Sequence, residues 1–137
     1  MPSHWRVATL FNPDPAAYLP HRFPFLMLDR VLELKPGVSA RARYRTSGSL
    51  QAFPQVLLVE AVAQLSGIAA VERQGEGGFL ASVDLADFGR PPRLGETLEI
   101  TARIIKSFGR LRLVEGQVTV ADEALLSVTL TLGIGPL

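Results

Sequence analysis

Cysteine is absent from this 137-residue chain, histidine and lysine occur only twice each, and there is one tryptophan. Without cysteine there are no disulfides, no thiolate metal ligands and no Cys nucleophile, which fits a cytoplasmic chain. No group of side chains has metal-ligand spacing, and no glycine-rich loop follows a strand in a dinucleotide or P-loop pattern. Neither a metal nor a cofactor is therefore expected. Charge of one sign is also lacking: the net charge is +1, so no bulk field points to nucleic acid or to an acidic membrane. Long apolar runs are missing too. The longest, Val56 to Val71, is broken by Glu60 and is too short to span a bilayer. The first twenty residues contain no apolar signal core, so no signal peptide is expected. A soluble single domain large enough to bury a core is the expectation. The basic residues are twelve arginines against Lys35 and Lys106. Arginine suits fixed pairing and phosphate contacts, although GC-rich coding explains the bias equally well.

The most informative segment runs from Leu50 to Arg73. Between Val56 and Val71 its only strongly polar side chains are Glu60 and Gln64. Their i, i+4 spacing sets both on one face of a helix. A helix apolar nearly all round belongs inside a protein. A charge there costs several kcal/mol unless it is paired, hydrogen-bonded or protonated. Glu60 is thus either satisfied structurally or kept for chemistry, and Gln64 either orients it or bonds helix to sheet.

Around this helix the pattern is that of strands. Residues 1–20 form an extension with a short helix near 13–18, opened by Asn12, Pro13 and Pro15. Residues 23–34 read as a strand ending at Lys35-Pro36-Gly37. Val38, Ala40, Ala42 and Tyr44 then alternate with Ser39, Arg41, Arg43 and Arg45, giving one buried and one solvated face. The central helix is expected over 54–74, released by Gly75, Gly77 and Gly78. Strands follow at 79–88, 98–104, 110–120 and 126–134, with a phase slip at Leu113-Val114 that suggests a bulge. Arg22 with Asp29, and Arg30 with Glu33, are expected as structural ion pairs. One helix among about six antiparallel strands gives an α+β fold in which the sheet encloses the helix.

This order resembles the hot-dog fold, a curled antiparallel sheet around a central helix. The resemblance becomes specific to the FabZ-type β-hydroxyacyl-acyl-carrier-protein dehydratases in three places. These are LPHRFPFLMLDRVLEL (19–34), VLLVEAVAQLSGIAA (56–70) with its Glu-Ala-X-Ala-Gln unit, and FLASVDLADFGRPPRLGETLEI (79–100). One departure stands out. The family carries a Gly-His-Phe-Pro element before the helix, whose His is catalytic. Here the corresponding stretch, 47–55, is shorter, and Ala52 sits where that His aligns.

The resemblance implies an acyl thioester on acyl carrier protein, or on coenzyme A, as substrate. It also implies a homodimer or trimer of dimers joined along 79–85, with sites at the interface. Dehydration of a 3-hydroxyacyl thioester needs a base for the α-proton and an acid for the departing hydroxyl. It also needs positive potential at the thioester oxygen. Glu60 is the expected acid, with a pKa raised by burial, and Gln64 is its neighbour in the catalytic pair. The N–H groups of Gln55 and Val56 are the expected oxyanion donors, and Phe53 and His21 the further substrate-side residues. No residue of the loop supplies the base. Loss of a positioned base costs about 10²–10⁴-fold. His21 acting instead, Glu60 performing both proton transfers through water, or acyl binding without turnover are the ways round that loss. A thioesterase using Glu60 and a non-catalytic acyl-binding or partner subunit are the alternatives.

Overall fold

A computed structural model of the protein describes residues 11–20, 26–46 and 53–136. Asp14 opens a 3₁₀ turn over Pro15–Ala17 by accepting the Ala16 N–H through its side chain. Six strands then form one antiparallel sheet: β1 (Arg30–Lys35), β2 (Ser39–Arg45), β3 (Glu76–Phe88), β4 (Thr97–Phe108), β5 (Leu111–Val120) and β6 (Glu123–Pro136). Their order across the sheet is β1-β2-β4-β5-β6-β3. The one α-helix among the described residues, α1 (Val56–Ala70), lies between β2 and β3 in sequence and packs on one face of the curled sheet. This is the α+β hot-dog arrangement.

The alternation of the sequence becomes the two faces of the sheet. Ala40, Ala42, Leu98, Ile100, Ala102, Val114, Val118, Leu126, Val128, Leu130 and Leu132 are all buried against α1, whose own Leu58, Val62, Leu65 and Ala69 complete the core. Two glycines set how closely the layers meet. A Cβ on Gly116 of β5 would lie 2.2 Å from the Val62 side chain, and one on Gly78 of β3 would lie 2.8 Å from the Gly67 backbone. Only glycine admits such contacts.

Several local expectations change. The apolar stretch at 23–34 becomes a strand only at Arg30, because the Met27 N–H is taken by the Gln64 side chain instead of a ladder partner. Residues 21–25 lie outside the described residues. The helix ends at Ala70, not 74. Val71 is extended at φ −79° and ψ 118°, and its N–H closes on the Gly67 carbonyl. Gly77 and Gly78 belong to β3 and do not release the helix. The bulge sits on β4: Ile105 is the extra residue, between Ile104 opposite Val114 and Lys106 opposite Leu113. Glu33 pairs with Arg41 rather than with Arg30.

Candidate functional site

The i, i+4 pair of α1 is assembled by three segments. Gln64 is buried, and its amide orientation is fixed at both ends. Its Oε1 accepts the Met27 N–H at 2.8 Å, and its Nε2 donates to Glu60 Oε1 at 2.9 Å. The backbone that breaks off β1 thus holds the glutamine, and the glutamine holds the carboxylate. Glu60 is half-buried, so the enclosure expected from the apolar sequence is incomplete at this point.

Glu60 opens onto a groove of about 320 Å³. Along the helix its wall steps through Glu60, Ala63, Gln64, Gly67 and Val71, and the facing wall is Gly77–Leu80 of β3. Tyr18, Leu19 and Pro20 border it as a third side. The groove is polar at the Glu60–Gln64 end and apolar from Gly67 onward, which suits a ligand with a polar head and an apolar tail. Burial pushes the Tyr18 phenol above its ordinary value, so it stays protonated and donates to the Asn12 carbonyl at 2.8 Å.

The start of α1 lies one turn before Glu60, about 6 Å along the axis. Leu57 N–H bonds Pro54 O and Leu58 N–H bonds Gln55 O, while the N–H groups of Gln55 and Val56 meet no acceptor among the described residues. Such free amides at a helix start favour a developing anion. The Gln55 side chain is tied down, its Nε2 donating to the Gly89 carbonyl at 2.9 Å. Phe53, 5% exposed, packs in the core with its ring 6.3 Å from that of Tyr44, away from the groove. Ala52 and His21 lie outside the described residues.

Behind Gly89 stands a cluster that no local sequence pattern announces. Arg90 makes two parallel bonds to Glu96, at 2.9 and 2.8 Å, and its Nε reaches Glu123 at 3.2 Å. The Arg90 guanidinium, helped by the Arg93 N–H, holds the Glu96 carboxyl down at about 2. This clamp joins the β3–β4 connection to the β5–β6 turn and so fixes the carbonyl that anchors Gln55. Its partners are six and 33 residues apart, out of reach of helix or strand periodicity.

No group of three or more His, Asp or Glu able to hold a metal occurs among the described residues. No helix there is long and apolar enough to cross a membrane.

The geometry has counterparts among known proteins. The model of the Thioesterase superfamily matches residues 59–127. A relative named 3-hydroxyacyl-acyl-carrier-protein dehydratase FabZ, from Campylobacter hominis, is 32% identical over 121 residues, covering 77% of this chain and 83% of its own. The protein of the same name from Bacillus subtilis is 31% identical over 130 residues, covering 85% and 92%. Among solved structures, the dehydratase heterocomplex ApeI:P from Xenorhabdus doucetiae superposes at TM-score 0.76 with 18% identity, over 90% of this chain and 91% of that one. A thioesterase from Haemophilus influenzae superposes at TM-score 0.70 with 12% identity, over 94% of each chain.

Proposed function

This chain belongs to the FabZ family of 3-hydroxyacyl-acyl-carrier-protein dehydratases, and from that premise we propose that it binds 3-hydroxyacyl thioesters in the Glu60 groove. The observation that carries this reading is the Met27–Gln64–Glu60 chain of hydrogen bonds at the polar end of an apolar groove. The acyl tail lies toward Gly67 and Val71, and the thioester lies by the helix start. Glu60 donates its proton to the departing hydroxyl, which leaves as water. That proton comes from the substrate's own α-carbon, carried to the Glu60 carboxylate by a water molecule, and the Gln55 and Val56 N–H groups stabilise the enolate oxygen formed in the transfer.

The base for that α-proton is the altered part of the machinery, since Ala52 stands where the family's loop His aligns. Catalysis is accordingly impaired or altered relative to an ordinary dehydratase. The protein acts in the cytoplasm on acyl chains being synthesised and works as a dimer or trimer of dimers. In that assembly β3, at one edge of the sheet among the described residues, is joined to the same edge of another chain.

Two other readings have specific support. Thioesterase neighbours of the same fold favour hydrolysis by a water molecule at Glu60. The absent loop His, with a structural neighbour described as a dehydratase heterocomplex, favours a partner subunit. Purified protein incubated with 3-hydroxyacyl and saturated acyl thioesters separates the three by product: enoyl thioester, free thiol, or neither. Free thiol from both substrates would replace the dehydratase reading with hydrolysis.

A further inference from the structure

The outer face of the sheet carries a corner that the acyl groove does not use. Arg30 of β1 stands opposite Arg43 of β2, and Arg45 stands opposite Thr97 of β4. Val31 beside Arg30, Ala42 beside Arg43 and Leu98 beside Thr97 are buried in the core, so the three arginines project from the other face. With Asp29 and Thr97 they line a concavity of about 460 Å³.

Like charges directly opposite one another destabilise a strand pair. Elsewhere on this face each arginine is answered: Arg41 sits between Glu33 and Glu99, and Arg103 pairs with Glu115. At the corner the nearby carboxylates are engaged elsewhere. Asp29 accepts the Arg45 backbone N–H at 2.7 Å, and Glu99, opposite Arg43 in register, turns to Arg41. Among the described residues, none of the three guanidinium groups has an ion-pair partner.

We propose that this corner is an anion site, filled by a phosphate group on the arm that carries the acyl thioester. Guanidinium forks match phosphate oxygens two at a time, which lysine does not do. The position also fits. Met27, which bonds Gln64, lies three residues before Arg30, a backbone span of at most about 10 Å. Arg45, at the end of β2, leads into residues 47–55 before the helix. The corner is therefore tied through β1 to the backbone that holds the Gln64–Glu60 pair. Coenzyme A and a carrier-borne phosphopantetheine both place phosphate at the far end of the same arm.

The inference rests on the acyl-thioester reading above, and the test separates the two. Affinities of hexanoyl-coenzyme A, hexanoyl carrier protein and phosphate-free hexanoyl-pantetheine are measured by calorimetry for the wild type, Arg43→Gln and Arg43→Gln/Arg45→Gln. The double variant is expected to bind the phosphate-bearing probes about tenfold or more weakly, the scale of a lost charge-assisted hydrogen bond. Its affinity for hexanoyl-pantetheine and its melting temperature stay unchanged. Weakening of the carrier probe alone assigns the phosphodiester of the carrier; weakening of both assigns the phosphate they share. Equal affinities for every probe in wild type and double variant overturn the anion site. If the wild type binds none of the hexanoyl probes, the acyl reading falls, and inorganic pyrophosphate then decides the corner by itself. A pyrophosphate-induced rise in melting temperature that Arg43→Gln abolishes supports the anion site; no rise overturns it.

Discussion

Gln64 donates from its side-chain amide to the Glu60 carboxylate at 2.9 Å, and it cannot flip, because its Oε1 is already bonded to the Met27 N–H. Replacing it by leucine keeps the volume but leaves a buried N–H without its acceptor. Gln64→Leu should therefore destabilise the fold by about 1–3 kcal/mol in denaturant unfolding. Wild-type stability in that variant would mean the Met27 bond has no energetic role.

Glu60 and His21 should separate cleanly. Glu60→Gln is expected to abolish any measured turnover of 3-hydroxyacyl thioester. His21→Ala should leave turnover nearly unchanged, since the family's catalytic His aligns with Ala52 and not with His21. A hundredfold loss in a folded His21→Ala protein, on the scale of about 10²–10⁴ for a lost base, would make His21 the base.

The Arg90 clamp should be visible as a pH effect. Glu96 is lowered in the folded state to about 2 from an ordinary value of 4.5, so its contribution is present above pH 4.5 and is lost as pH falls toward 2. Arg90→Gln should remove that stretch of the acid-unfolding profile. An unchanged profile between pH 4.5 and 2 would assign the acid response to other carboxylates.

Much of the fold was legible because burial imposes period two on every strand and leaves the one long apolar segment to be the helix. The Glu60–Gln64 pair was legible for the same reason: polar groups stand out where the rest is apolar. What could not be read depends on contacts distant in sequence. Gly77 and Gly78 look like helix breakers, yet Gly78 is selected by the approach of the Gly67 backbone. The early part of 23–34 has strand composition, but a side chain 37 residues away takes its N–H. The sequence shows Arg90 but not Glu123, and it shows no sign of which arginines are left unanswered.

Along the β3 edge, Leu80, Val83 and Phe88 stand opposite the buried Leu132, Leu130 and Leu126, so they share the helix-facing side while remaining 43%, 44% and 42% exposed. A second chain joined at β3 would cover them. Light scattering at micromolar concentration should give at least twice the 14.8 kDa chain mass, and Val83→Lys should shift it to one chain. A wild-type monomer would rule out the assembly proposed above.

The meeting of Gly67 and Gly78 also determines how the groove responds to its contents. Backbone touches backbone there, so the gap between helix and strand is a fixed gauge: it cannot narrow, and the sheet curled round the helix resists widening. Adaptation is left to the Tyr18–Pro20 side, a short turn held by a few hydrogen bonds. A bulkier acyl group is then accommodated from one direction only, like work held against the solid jaw of a vice.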